Sequence, residues 1–472
     1  MRHTKGGLFP RLPFILLLIL AGGLLSCSGM SPHEVRKDLL QGDLSGLEKS
    51  LSSQKDEKWD FSTALNLGRI YQLDGRWRDS IGAYERAVAI LEEYERRAIV
   101  SVRGVAGGVG AFTLARGSSG YYGKGYERTL LHTMNALNYM MLGDFSGASV
   151  EMRRMEIRQE LWLEEKENRL REELETRQKE ASRSESKDGG LLEYSADRLP
   201  SGYSMKGILE DPAMRSFMSG YQEPFSYSLS GIVCRIAGDR EYARVSMNRA
   251  SSLNIQARSM FTKAWGSGEE PPAVKQGGME VVLIVLGGFA PALKMEQIRI
   301  VTGLGGYLLF DLPAYMPALA FEPPRVHVGN RDLELYGLLR TEILAYRELR
   351  DDMNYELAAA MSRVATRAAM AVGAQVLSRS NEKTRGVAKI VDFLLSASLD
   401  LISGLDASSM HNWETLPASG YLGMLNLPSA SELAIFVNGR RYGLDLPAAA
   451  RGVILLVTQT GKDKVRVDHV TY

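Results

Sequence analysis

The chain has 472 residues, 45% of them apolar and 24% charged, and its 57 basic and 56 acidic side chains leave a net charge of +1. That is ordinary globular composition, with room for two or three domains. A charge so close to zero excludes a polycation that recruits nucleic acid by its overall field.

At the amino end, Arg2, Lys5 and Arg11 precede an apolar stretch from Leu12 to Leu25. A helix needs about 20 residues to cross a hydrocarbon core of roughly 30 Å, so this stretch is too short to span. Basic residues, a short apolar core and small residues ahead of a cut make a secretory signal peptide over residues 1–26. Leu24-Leu25-Ser26-Cys27 resembles the bacterial lipobox, in which the chain is cut just before an acylated cysteine. Cys27 is therefore the expected lipid-attachment site, palmitate included, and several acyl chains at about 0.8 kcal/mol per buried CH2 would anchor it stably. Ser28 after the cysteine, by resemblance to bacterial lipoprotein sorting, points to the outer membrane facing the periplasm. An ordinary signal peptide or an uncleaved anchor is the alternative. Losing the leader takes the net charge from +1 to −2. An exported chain with only Cys234 left to pair has no internal disulfide.

Residues 27–265 read as helical, and self-similarity organises them. In "ALNLGRIYQLDGRWRDSIGAYERAVAI", Leu67, Gly68 and Tyr71 precede Gly75, and Trp77, Ser80, Tyr84 and Ala87 follow. In "NALNYMMLGDFSGASVEMRRM", Ala136 and Tyr139 precede Gly143, and Phe145, Ala148, Met152 and Met155 follow. In "SLSGIVCRIAGDREYARVSMNRA", Gly231 and Cys234 precede Gly238, and Ala243, Met247 and Ala250 follow. "LLQGDLSGLEKSL", with Gly42, is a weaker fourth copy. The register resembles the tetratricopeptide repeat: a small residue where two helices touch, glycine in the turn, then small and large residues on the second helix. Such hairpins stack into a solenoid with a concave binding face. Asn66, Arg69, Gln72, Thr133, Leu137, Met140, Ser228 and Arg235 fall on the inner helices. They are the candidate partner groove or, equally, packing residues. Cys234 sits where the other copies have tyrosine, which makes it a core thiol.

Two insertions interrupt the helical part. The glycine-rich loop 103–125 has no preceding strand and no G-x-x-x-x-G-K-[ST], so it is no phosphate loop; Tyr121, Tyr122 and Tyr126 are expected to pin it. Residues 151–200 are rich in Glu, Arg and Lys, with Glu165 four residues before Arg169. They read as a long solvated helix, or as a coiled-coil arm through Leu163, Leu170 and Leu174, followed by a disordered joint.

A linker over 266–278 leads to a carboxyl-terminal region, 279–472. Met279 to Gly288 reads as a buried strand and Leu293 to Val301 as its partner, with a third strand near Val326 to Val328. Residues 333–403 read as helix. They include Arg363 and Arg367 one turn apart, an anion grip or a solvated stripe, and the core helix Val387 to Leu405. Asn412 to Pro417 opens the last β section, where Asn438-Gly439 signals a tight hairpin and a second hairpin surrounds Gly461-Lys462. The fold class expected is α+β: a helical solenoid followed by a mixed domain of packed helices and a small antiparallel sheet.

No chemistry stands out. The six histidines make no metal-ligand spacing, no G-x-S-x-G elbow occurs, and the "SSQK" match at Ser52 to Lys55 has no companion motif. No metal, cofactor or catalytic residue is expected.

Four segments carry a family resemblance: "GYERTLLHTMNALNYMMLGDFSGASVEMRR", "EPFSYSLSGIVCRIAGDREYA", "VVLIVLGGFAPALKMEQIRI" and "NWETLP". With them the chain resembles a family of bacterial tetratricopeptide-containing lipoproteins, for which no activity is established. Family members tend to carry Y-x-G-x-x-Y-E-R before the repeat, approximated here by Tyr122, Gly123, Tyr126, Glu127 and Arg128. Where they have Asp-x-Arg before the tryptophan, this chain has "SSMHNW". The resemblance implies architecture and an envelope address only; the first functional reading is a membrane-anchored scaffold that binds other envelope proteins through its concave face. Cell-wall synthesis and outer-membrane assembly are the settings to test. The alternative is an envelope enzyme or small-ligand binder that uses the carboxyl-terminal region.

Overall fold

The computed structural model describes residues 32–52, 59–104, 121–183, 202–210, 222–266, 278–301, 307–353, 411–427, 434–444, 446–447 and 449–472. The leader with Cys27 and Ser28, most of the glycine-rich loop, the joint after 183, nearly all of the 266–278 linker, Arg363, Arg367 and Val387 to Leu405 lie outside the described residues. Among the described residues no helix is long and apolar enough to cross a membrane.

Mixed helices and strands make this an α+β fold. The helices are α1 (Pro32–Gln41), α2 (Leu44–Leu51), α3 (Phe61–Leu73), α4 (Trp77–Gly104), α5 (Gly125–Met141), α6 (Phe145–Arg183), α7 (Lys206–Glu210), α8 (Pro224–Ile236), α9 (Arg240–Leu253) and α10 (Ile255–Trp265). Residues 341–353 are also helical. Pairs α3/α4, α5/α6 and α8/α9 pack as hairpins, and their turns share one construction. Gly42, Gly75, Gly143 and Gly238 all have positive φ, from +72° to +93°, where a side chain would be strained. The residue after each glycine donates its N–H five residues back: Asp43 to Asp38, Arg76 to Tyr71, Asp144 to Tyr139, Asp239 to Cys234. That is the helix-ending closure that satisfies otherwise orphaned carbonyls. At three of the four turns, Gly75 excepted, the next helix starts on an aspartate: Asp43 caps Gly46, Asp144 caps Gly147 and Asp239 caps Tyr242.

Close approach then fixes the small residues ahead of the turn. A Cβ on Gly68 would meet the Tyr84 ring at 2.4 Å, and one on Gly231 would meet Met247 at 2.7 Å. Ala136 holds the same place in the middle pair and is fully buried, as are Ala148 and Ala243 on the second helices. Tyr71 is buried, whereas Tyr139 is only partly so and donates its hydroxyl to Glu85 at 3.1 Å.

The strands depart from expectation. They are β1 (Met279–Gly287), β2 (Ala292–Val301), β3 (Tyr307–Met316), β4 (Val326–Val328), β5 (Arg331–Asp332), β6 (Tyr336–Arg340), β7 (Ser419–Leu427), β8 (Ile435–Val437), β9 (Arg440–Tyr442), β10 (Gly452–Gly461) and β11 (Lys464–Thr471). The main sheet has five strands in the order β11-β10-β1-β7-β6. Strand β1 runs parallel to β10 and antiparallel to β7, so the sheet is mixed rather than small and antiparallel. The segment at 293–301, expected beside β1, pairs instead with β3. All nine residues of β1 are buried. A strand apolar on both faces belongs in a sheet's centre, which the alternating β2 cannot match on its polar side. Strand β3 runs through the proline-rich stretch: Pro313, opposite Met295, needs no N–H at an edge. Within 333–403, residues 336–340 are strand, and the helix begins at 341.

The alternation of β1 builds three layers. Val282, Ile284 and Leu286 join one core with the helix pairs, together with Leu422, Met424, Ile454 and Leu456. Val281, Leu283 and Val285 face the other way, onto the four-stranded sheet β5-β4-β8-β9, through Val326, Val328, Ile435 and Val437. The β8–β9 turn is the expected one, with positive φ at both Asn438 and Gly439. The division near 266–278 thus separates secondary-structure types but not cores.

Gly68→Ala should lower stability by about 1–3 kcal/mol through overpacking against Tyr84. Gly82, helical with open space around a Cβ, should give the opposite sign as Ala, by about 0.5–1 kcal/mol. Thermal melts of the two variants check both.

Candidate functional site at the junction of helices and sheet

The expected groove lies on α3, α5 and α8, but it is not open. Asn66, Arg69, Gln72, Thr133, Leu137, Met140, Ser228 and Arg235 are all buried. The physical reason is the apolar helix-side face of β1 and its neighbours, which must be covered and is covered by these inner helices. The polar groups on the helices are then obliged to find partners within the chain. The Thr415 hydroxyl donates to Asn66 Oδ1 at 2.9 Å. Gln72 Nε2 donates to Met134 O at 2.8 Å and Asn138 Oδ1 at 2.7 Å. The Thr133 and Ser226 hydroxyls lie 2.8 Å apart. Arg69 donates to Gln72 Oε1, while its Nε and Nη2 have no partner among the described residues. Burial lowers the Arg69 pKa to about 10.

Two motifs far apart in sequence meet here. Glu127 closes a capping box on α5 with Lys124 N at 2.6 Å. The same carboxylate accepts hydrogen bonds from the hydroxyls of Tyr121 at 2.5 Å and Tyr126 at 3.2 Å, and from the backbone N–H of Trp413 at 2.8 Å. Trp413 is fully buried edge-on to Tyr84, ring centroids 5.6 Å apart. Asn412 accepts from Leu293 N at 2.9 Å and donates to Pro291 O at 2.7 Å, which ties β2 to the same point. Arg128 donates to Tyr122 O and Gly123 O, each at 3.1 Å. Gly123 has φ +79°, and a Cβ there would meet Phe61 at 2.7 Å. Tyr122 stacks on Tyr94 at 3.9 Å and Tyr121 tilts against Phe61 at 5.8 Å. The "YER" and "NWETLP" segments are thus two halves of one buried joint.

A second joint centres on Glu280, at the start of β1. It forms a buried ion pair with Arg235 of α8, and accepts from Trp265 Nε1 at 2.9 Å and from the Tyr472 hydroxyl at 2.5 Å. The Arg235 guanidinium also lies over the Trp265 ring, 4.5 Å from its centroid. Strand β11 completes the closure by crossing the turns of the first helix pairs. Lys464 Nζ donates to Gln41 O at 3.1 Å, and Arg466 lies against Gly75. Cations there complement the carbonyl ends of helices.

A third cluster holds Lys166 of α6 between Glu348 at 3.3 Å and Asp352 at 3.2 Å. Tyr121, Tyr126 and Tyr315 are held well above the ordinary tyrosine range, chiefly by burial and then by the Glu127 charge. Cys234 is buried and its thiol is pushed up to about 12 by that burial, so it is no nucleophile. Among the described residues no group of His, Cys, Asp and Glu converges to hold a metal ion. Glu280, Lys166 and Glu348 escaped the sequence reading, and Trp413 was visible only as part of a motif with no assigned contact. The one signal was a charge opening the apolar run of β1; its partner stands 45 residues away. Comparison with protein-family models, with curated proteins and with solved structures finds no match.

Two outcomes follow. Removing one partner of the buried pair, as in Arg235→Ala or Glu280→Ala, should cost about 3–5 kcal/mol, and the double Met substitution clearly less; urea unfolding of the three variants checks this. Glu223 caps α8 through Phe225 N at 2.6 Å and Ser226 N at 2.7 Å, yet burial raises its pKa from 4.5 to about 7. Between those values the native chain keeps a proton that the unfolded chain has lost. Its contribution is therefore full below pH 4.5 and disappears as pH rises through 7. Glu223→Gln should gain on the wild type by up to about 3 kcal/mol between pH 4.5 and 8, read from unfolding curves across that range.

Proposed function

We propose that this chain is a lipid-tethered bacterial envelope protein, built on tetratricopeptide-like helix pairs, that acts as a non-catalytic interaction scaffold. The observation that carries the reading is the repeated hairpin: a small residue and a glycine turn with the same backbone closure at Gly75, Gly143 and Gly238, with an aspartate cap after the last two. The Cys27 lipobox supplies the membrane attachment. Partners are other envelope proteins, in cell-wall synthesis or outer-membrane assembly. Since the inner helix face is taken up by the chain's own sheet, contact with those partners falls to the outer helix surfaces. The non-catalytic reading draws on the titratable groups of the junction. Glu127, Glu280 and Lys166 are buried and each is engaged: Glu127 with backbone amides and tyrosines, Glu280 with Arg235 and Tyr472, and Lys166 with Glu348 and Asp352.

Labelling cells with a fatty-acid analogue should mark the wild-type chain and leave Cys27→Ala unmarked; equal labelling of the two would remove the tether from the proposal. In the same cells, substitutions in the buried face such as Arg69→Met should leave a cross-linked partner in place. Charge reversals on the outer helices should release it. The opposite pattern would return the binding site to the concave side.

A further inference from the structure

Helix α6 is engaged on three sides. Its core side buries Met152, Met155, Gln159, Trp162 and Lys166. On one flank Arg158 pairs with Glu95 before it in the chain. On the other, Arg153 pairs with Asp239, Glu156 accepts from Ser246 at 2.6 Å and Glu160 pairs with Arg249 at 3.0 Å. The fourth side is Val150, Arg154, Ile157, Leu161 and Glu164, all exposed. Their spacing of four, three, four and three residues is that of a coiled-coil seam. Val150 is 48%, Ile157 56% and Leu161 49% exposed, and Val245 of the adjoining α9 is 43% exposed. A solvated helix face does not need aliphatic side chains at its seam positions, and here Ile157 and Leu161 stand next to each other on the exposed face, flanked by Arg154 and Glu164. This is not the seam expected from Leu163, since Leu163 is half-buried and off this face.

We propose that this stripe is a self-association surface, on which α6 packs antiparallel against α6 of a second copy of the chain across a two-fold axis. The charge order selects that occupant. The stripe is basic at its start, Arg154, and acidic at its end, Glu164, with the two aliphatic residues between. Antiparallel pairing about the level of residue 159 sets Ile157 against the partner's Leu161 and Arg154 against the partner's Glu164, each contact occurring twice. Parallel pairing would set Arg154 against Arg154 and Glu164 against Glu164. A self-complementary patch in which i meets j and j meets i is what a two-fold dimer requires. Arg154 bonds Glu151 at 2.9 Å within its own chain, but that carboxylate also holds His132 at 2.7 Å, so it keeps a partner when Arg154 turns outward.

The test uses the purified full-length chain in two differently tagged forms, with wild type as the background. Ile157→Cys mixed with Leu161→Cys should join through a short bis-maleimide into a mixed dimer. Glu164→Arg added to both should cut that yield roughly tenfold, because two attractive contacts become repulsive. Adding Arg154→Glu as well should restore it, since every pair is then reversed together. Sedimentation of chains without introduced cysteines should show the same order of association. All four positions are exposed, so circular dichroism should be unchanged throughout. The proposal is overturned by a monomer at every concentration, by cross-linking indifferent to Glu164→Arg, or by failure of the double reversal to rescue. It is equally overturned if Ile157→Cys joins a different protein in place of its own copy.

Discussion

Strand β1 is apolar on both faces, and a strand of that kind has to be covered twice. Val282, Ile284 and Leu286 are covered by the helix pairs, and Val281, Leu283 and Val285 by the small sheet. At about 1.5–3 kcal/mol for each such side chain taken out of water, this one strand supplies on the order of 10 kcal/mol, an upper estimate but a dominant one. Everything else at the junction answers to it. Once the inner faces of α3, α5 and α8 are committed as cover, their polar side chains lose water and must be matched. Asn66 finds Thr415, Gln72 finds Asn138, and Arg235 finds Glu280.

The helix hairpins were legible in the sequence because their determinants are local. A glycine at positive φ, a capping aspartate just after it and a small residue seven positions before all lie within one turn or two. The Asn438-Gly439 hairpin was legible for the same reason. The placement of β1 was not, because it depends on Gly452 to Gln459, some 170 residues further on, running parallel to it. Burial of the supposed groove had the same cause. Arg69 and Arg235 look like groove residues to any local pattern, and only the arrival of a remote sheet turns that face inward. The "YER" and "NWETLP" segments were visible as motifs, but nothing in either says that Glu127 will accept the Trp413 amide.

The inner faces of α3, α5 and α8 are filled by the chain's own sheet, which leaves the outer faces of the helix pairs exposed. The surface of α6 and α9 is therefore where sequence and structure together direct attention. It offers aliphatic residues in seam spacing, framed by ion pairs that hold the two helices in register. The junction, in contrast, has the character of a keystone: dense, buried and cross-linked between distant segments.

That keystone also orders events in time. Lys464 bonds to Gln41, a separation of 423 residues, and Tyr472 bonds to Glu280 across 192. Contacts of such range form slowly, since the long loop must be closed before it is rewarded. Until β10 and β11 have been synthesised and have docked, the helices made first present an uncovered apolar trough. A growing chain is thus a transient client for any chaperone that recognises grooves, and its maturation is a late, single closing step.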